Sequence, residues 1–161
     1  FEEWGNYASV LFLILMFIGG CAGSTTGGLK IFRFQILFKY IHLHLKKMLQ
    51  PHVVLSAQFN GKKVTESTYE SVMTFFFVYI ITFASSALLL SFSGLDFLTC
   101  ISAAASAISN VGPGLGPIIG PEGNYSSLTN YSKLVLVLTM FLGRLEMLTI
   151  LIIFLPSFWK N

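Results

Sequence analysis

Ile18-Gly-Gly-Cys-Ala-Gly-Ser-Thr-Thr-Gly-Gly-Leu-Lys30 follows an unbroken apolar run and precedes a basic amphipathic one. Its five glycines (Gly19, Gly20, Gly23, Gly27 and Gly28) fall with Ser24, Thr25 and Thr26 where a membrane helix would otherwise continue. Glycine costs a helix interior roughly 1 kcal/mol relative to alanine, so the cluster predicts broken backbone. Broken backbone at membrane depth persists only where protein or a wet cavity surrounds it. The stretch is therefore a functional candidate.

Composition sets the class. The chain has 161 residues, 54% hydrophobic and 11% charged, with a mean hydropathy of +0.74. Soluble domains carry about 25% charged residues, so this is a membrane protein. It begins at Phe1, which reads as a fragment, a processed product or a trimmed chain with no recognisable signal peptide. Cys21 and Cys100 form no CxxC pair and have no histidine nearby, so both read as small buried hydrophobes.

About 20 apolar residues cross a hydrocarbon core. Three segments meet that length: Tyr7 through Ile18 into the glycine stretch, Ser71 to Phe92, and Tyr131 to Leu155, which Pro156 stops. A fourth, Phe97 to Ile108, is too short to span. Asp96 is placed to cap it, Ser102-Ala-Ala-Ala-Ser-Ala107 suits close helix packing, and Asn110-Val-Gly-Pro-Gly-Leu-Gly-Pro117 cannot continue it. A short membrane helix ending in a Gly/Pro turn reads as re-entrant.

Charge orients the chain. Seven of the ten Lys and Arg residues (Lys30, Arg33, Lys39, Lys46, Lys47, Lys62 and Lys63) lie between the first two spans, which places that connection in the cytoplasm. Residues 94–130 are then outside, and Phe158-Trp-Lys160 returns to the inner interface. Phe34, Leu37, Phe38, Ile41, Leu45 and Met48 follow helical spacing, giving a basic amphipathic helix at the membrane face, ended by Pro51. Val53 to Phe59, Asn60-Gly61 and Lys62 to Thr65 read as a small hairpin. His42, His44 and His52 are most simply solvated or interfacial. The architecture is an all-α membrane protein: span, re-entrant pore helix, span, preceded by a broken helix.

Cation pores are built in this order. The short helix aims the negative end of its dipole at the membrane centre, and the loop after it offers carbonyls in place of a hydration shell. The alternative is an ordinary extracellular turn between two helices. Arg144 lies near the middle of the third span, where a charge costs at least roughly 2.5–3.5 kcal/mol, so it should face protein or water. Glu146, two residues on, faces elsewhere. Carbonyls of the glycine stretch are the natural acceptors for Arg144, either as a structural tie or as part of a conduction path. Gly23 to Lys30 lacks the Gly-Lys-Ser/Thr of a phosphate loop, because Leu29 separates Gly28 from Lys30. No enzyme signature appears, and Asn124-Tyr-Ser and Asn130-Tyr-Ser are only formal glycosylation sequons.

Taken together, Phe17 to Lys30 with Arg33, Asn110-Val-Gly-Pro-Gly-Leu-Gly116, Lys133 and Gly143-Arg-Leu-Glu146 resemble the Trk/Ktr/HKT superfamily of potassium transporters, closest to its bacterial TrkH type. The resemblance covers nearly the whole chain, with Phe154, Pro156 and Phe158-Trp159 fitting the family's ending. It departs from ordinary potassium channels in lacking Thr-Val-Gly-Tyr-Gly, and Ser109 stands where relatives often have a second Asn. Such proteins carry four pore repeats. The resemblance assigns 1–50 to the last helix of the third repeat, broken at 19–28, and 51–70 to a cytoplasmic connection. The fourth repeat is 71–156 (span 71–92, pore helix 96–109, filter 110–116, span 131–155), and 157–161 is a cytoplasmic end.

The resemblance implies potassium uptake by a channel-like subunit, with potassium as substrate and no cofactor in this chain. The backbone carbonyls of Asn110, Val111 and Gly112 would meet the ion. Gly19, Gly20, Gly23, Ser24, Thr25, Thr26, Gly27, Gly28 and Lys30 would form an intramembrane gate with Arg144. It further implies a multi-pass protein of the plasma membrane (the inner membrane of a bacterium) in contact with lipid. A homodimer with a cytosolic nucleotide-binding subunit of the TrkA/KtrA kind is expected, and no nucleic-acid partner. The alternative is a non-conducting membrane scaffold or a truncated single-repeat product.

Overall fold

The computed structural model describes residues 4–21, 23–24, 26–50, 58–59, 62–145 and 159. Its elements are α1 (Gly5–Met16), α2 (Ile31–Leu49), β1 (Gln58–Phe59), β2 (Lys62–Lys63), α3 (Glu66–Ser91), α4 (Phe97–Ser109) and α5 (Asn130–Arg144). A 3-10 turn at Tyr125–Ser127 precedes α5. The strands pair antiparallel with Gln58 opposite Lys63 and Phe59 opposite Lys62. That is the register a two-residue Asn-Gly turn requires. The turn itself and residues 53–57 lie outside the described residues.

The bundle is organised around α4. Asp96 caps its start by accepting from the Leu98 amide at 3.3 Å, as the sequence leads one to expect. All but three of its 13 residues are buried, a fit made possible by serines and alanines that let α3 and α5 approach closely. Ala103, Ala104 and Ala107 pack with Leu90 of α3 and with Val135 and Leu136 of α5. Met16, at the end of α1, meets Ala105 and Leu115. A buried hydroxyl pair ties α3 to α5, Ser86 to Thr139 at 2.9 Å, and a half-buried one, Ser132 donating to Ser93 at 2.8 Å, ties the turn after α3 to α5. In a membrane such bonds contribute about 0.6 kcal/mol on average, so packing carries most of the stability.

Helix length differs from the sequence expectation in an instructive way. Among the described residues only α3, 26 residues, is long and apolar enough to cross a membrane. It starts five residues earlier than expected, at Glu66 instead of Ser71. The helix α1 stops at Met16, just before the paired glycines. The helix α5 stops at Arg144, one residue past Gly143, and the rest of the expected span lies outside the described residues. The outer faces carry many large apolar side chains, with Val10 and Ile14 of α1, Phe77 and Ile81 of α3, and Leu134 and Val137 of α5 all exposed. This pattern suits lipid or further transmembrane segments.

In α2 the face packed inward shares only the start of the apolar stripe, at Phe34, and departs from it further along. Ile36 is buried, Phe34 meets Phe76 at 5.4 Å and Tyr40 meets Tyr69 at 4.9 Å. Phe38, Ile41, Leu45 and Met48 stay exposed. Aromatic contacts with α3 set this rotation, and the apolar stripe is left for a surface beyond the chain.

Gly143 is where α5 touches α4 most closely, since a Cβ there would collide with the Ile108 carbonyl. Overpacking of this kind costs about 1–3 kcal/mol or more when the obstacle is backbone. Gly143→Ala is therefore expected to lower the melting temperature of the detergent-solubilised protein by several degrees. Wild-type melting would show that the helices separate freely.

Candidate functional site

The site begins at the C-terminal end of α4. Asn110 takes the left-handed conformation, with φ 54°. Its amide bonds the Ala107 carbonyl at 3.2 Å, and the next amide, of Val111, bonds the Ser106 carbonyl at 3.0 Å. This 6→1 and 5→2 pair is a Schellman motif with Asn in the place usually held by glycine. The Asn110 amide group also donates to the Met140 carbonyl of α5 at 3.2 Å. One residue thus ends the helix and fastens the following segment to α5.

The segment after it is gripped by two serines one helical turn apart. Ser106 Oγ donates to the Gly112 carbonyl at 2.9 Å and accepts from the Gly112 amide at 3.1 Å. Ser102 repeats the arrangement on Leu115, donating at 3.2 Å and accepting at 3.0 Å. Tyr125 adds a third arm, its hydroxyl donating to the Gly112 carbonyl at 2.7 Å. Burial holds that phenol above its ordinary pKa, opposed in part by hydrogen bonding to Ser106. It therefore stays a donor throughout the physiological range.

Gly112 has φ +113° and open space on the side where a Cβ would project. Only glycine adopts that backbone without strain. The sequence expects the Gly112 carbonyl among the ion-facing oxygens; in the structure it accepts hydrogen bonds from two protein side chains. A carbonyl oxygen has two acceptor lone pairs, and Ser106 and Tyr125 occupy both. The carbonyls of Asn110 and Val111 precede this turn.

The glycine stretch leaves the helix axis as a pinched loop. Its neck is closed by the Gly19 amide bonding Leu29 carbonyl at 2.9 Å and the Ile31 amide bonding Gly20 carbonyl at 3.1 Å. Inside the loop Gly23 is exposed, and Ser24 and Thr26 bond one another through their hydroxyls. The Thr26 amide also donates to Ser24 Oγ at 3.0 Å. Thr25 lies outside the described residues. On the return limb Gly27 and Gly28 are buried against the end of α4, where a Cβ on Gly27 would stand 2.6 Å from the Ser109 carbonyl oxygen and 3.0 Å from the Asn110 Cβ. Leu29 then packs with Phe75, Tyr79 and Ile108, and Tyr79 bonds the Ser109 hydroxyl at 2.7 Å.

The loop and α5 line a half-open cavity of about 180 Å³ whose lining includes Ser24, Thr26, Gly28 and Arg144. Lys30, Arg33, Phe75 and Gly143 complete it. The guanidinium of Arg33 sits 3.8 Å over the Phe75 ring, a cation–π contact. Arg144 and the glycine loop thus line one cavity, while Glu146 lies outside the described residues. The structure brings Ser24, Thr26, Gly28, Lys30 and Arg144 around one cavity, sets Gly27 against Ser109 and Asn110, and leaves Gly19 and Gly20 at the neck.

Several residues here escape a sequence reading. Ser102 and Ser106 look like packing residues, and only their four-residue spacing hints at a shared face. Tyr125 gives no local signal, sitting in a sequon whose Asn124 in fact caps the 3-10 turn by accepting from the Ser126 amide at 3.0 Å. Lys133 reaches back to the Ser126 carbonyl at 2.8 Å, fixing that turn to α5.

A family model described as TrkH, cation transport protein, matches residues 1–161. The Trk system potassium uptake protein TrkI of Halomonas elongata is 43% identical over 161 residues, covering 100% of this chain and 33% of its own length. The TrkH protein of Escherichia coli K12 is 37% identical over 159 residues, covering 99% and 32%. Among solved structures, the potassium transporter TrkH from Vibrio parahaemolyticus superposes with a TM-score of 0.86 at 35% identity, covering 98% of this chain and 33% of that one. The chain thus spans about a third of the length of the relatives it matches. The family that the motifs point to is the family found.

The helix end offers a graded test. Asn110→Gly keeps the left-handed backbone and loses the bond to Met140, whereas Asn110→Ala loses both. Alanine pays roughly 1–2 kcal/mol for that backbone, which asparagine and glycine visit readily, and a lost hydrogen bond costs about 1 kcal/mol. Melting temperatures of the purified protein are expected to fall in the order wild type, Gly, Ala.

Proposed function

The chain belongs to the TrkH family of cation transport proteins, and on that footing we propose that it contributes one filter segment and an intramembrane gate to a channel-like potassium uptake protein. The observation that carries this reading is the contact of Gly27 and Gly28 with the end of α4. It sets the glycine loop directly beside the segment that starts at Asn110.

In this reading the carbonyls of Asn110 and Val111 replace part of the hydration shell of a potassium ion. Gly112 supplies the backbone turn that orients them. The end of the α4 dipole adds a favourable negative potential. Below, residues 19–28 close the path, and Arg144 and Lys30 set a positive charge in the cavity that a cation must pass. The bundle formed by α3, α4 and α5 is the fourth repeat, and α1 with α2 the broken last helix of the third. Three further filter segments complete the pore in the whole protein.

The same reading orients the chain by charge, with 30–65 and the C-terminus in the cytoplasm and 94–130 outside. The protein works in the plasma membrane as a homodimer, and a cytosolic nucleotide-binding subunit docks on the cytoplasmic side. The exposed basic and apolar surface of α2, including Lys39, Phe38 and Ile41, supports that placement.

Two substitutions in the full-length protein test the reading, each assayed as rubidium or potassium uptake in bacteria lacking their own uptake systems. Arg144→Ala removes positive charge from the cavity and is expected to raise flux several-fold; unchanged kinetics would count against the gate. Gly112→Ser forces a side chain onto φ +113° and is expected to weaken potassium affinity or selectivity about tenfold. Wild-type selectivity would remove the filter assignment.

A further inference from the structure

Three side chains hold the 110–115 segment, and they come from two separate parts of the fold. Ser102 and Ser106 belong to α4 and act from within the pore repeat. Tyr125 belongs to the connection before α5 and acts from the opposite side of the loop in sequence. On the remaining side of Gly112 nothing approaches within 4 Å of a Cβ position. The segment is thus braced from one side and open on the other.

The brace is itself anchored. The turn that carries Tyr125 is capped by Asn124 and fixed to α5 by Lys133. Leu128 beside it is buried in the main core. A hydroxyl presented from such a turn sits in a fixed position, so the Gly112 carbonyl it holds is fixed as well. Two donors on one oxygen also prevent that peptide from rotating outward, because rotation would leave the phenol and the serine without their acceptor.

We propose that Tyr125 and Ser106 are positioning residues for ion selectivity, which hold the Gly112 carbonyl turned into the protein and so fix the spacing of the carbonyls that precede it. The inference rests on the reading of Asn110 to Gly112 as a filter segment. Neither side chain touches the ion. Their effect is to stop residues 110–112 from adapting to a smaller cation. Loosening the brace therefore acts on discrimination between potassium and sodium more than on maximal rate.

The test is Tyr125→Phe and Ser106→Ala in the full-length protein, with uptake of potassium and its inhibition by sodium measured in uptake-deficient bacteria. Selectivity is a ratio of affinities, so a lower protein level does not mask it. Each variant is expected to reduce the potassium-over-sodium ratio about fivefold, the factor that one lost hydrogen bond of ordinary strength represents. The double variant is expected to fall short of the product of the two, because both bonds end on one oxygen. Ser86→Ala, which removes the buried hydroxyl pair between α3 and α5 away from Gly112, is the structural control and should leave the ratio unchanged. A wild-type ratio in Tyr125→Phe overturns the proposal, as does an equal loss in Ser86→Ala. Gly112→Ser separates the two levels. If it changes selectivity and Tyr125→Phe does not, only the brace is wrong; if neither does, the filter reading fails with it.

Discussion

Three backbones meet at the C-terminal end of α4, and the meeting is possible only because two of them arrive as glycine. Gly27 brings the intramembrane loop against the Ser109 carbonyl, and Gly143 brings α5 against the Ile108 carbonyl. Any side chain at either position would push its backbone away. Carbonyls at a helix end have no intrahelical partner, so this is also where partial negative charge gathers. The fold places its closest packing and its strongest backbone field at one point. The loop, the start of the 110–116 segment and Arg144 are neighbours as a consequence.

The two irregular segments that meet there are held very differently. The segment after Asn110 is fastened by reciprocal bonds to Ser102 and Ser106, by the Tyr125 hydroxyl, and by the tie from Asn110 to Met140. The loop of residues 19–28 is closed at its neck and seated at Gly27 and Gly28. Between these points Ser24 and Thr26 bond chiefly to each other, and Gly23 and Cys21 are exposed.

The division between what was and was not legible in the sequence follows from range. Local rules were enough for a helix break at the glycine stretch, though the helix ends at Met16, earlier than expected, for the Asp96 cap, for the end of α4 at Ser109 and for a hairpin at the Asn-Gly turn. Each depends on a few neighbouring residues. What escaped depends on distant contacts. The rotation of α2 is set by aromatic rings on α3, and its own apolar spacing points elsewhere. The direction of the Gly112 carbonyl is set by Tyr125, 13 residues on. No local pattern encodes either, since both follow from which surfaces meet when the helices pack.

The central claim is that the loop, seated on the end of α4, closes the ion path. A Cβ at Gly28 would lie 3.4 Å from that of Ser109, close to the roughly 3.5–4.5 Å separation of a disulfide. The most direct measurement is potassium uptake by the full-length Gly28→Cys, Ser109→Cys protein, with Cys21→Ser and Cys100→Ala removing the native thiols. The account predicts that oxidation reduces uptake to background and that reduction restores it. Uptake at the rate of the reduced protein, with thiol titration showing the bond fully formed, would contradict it.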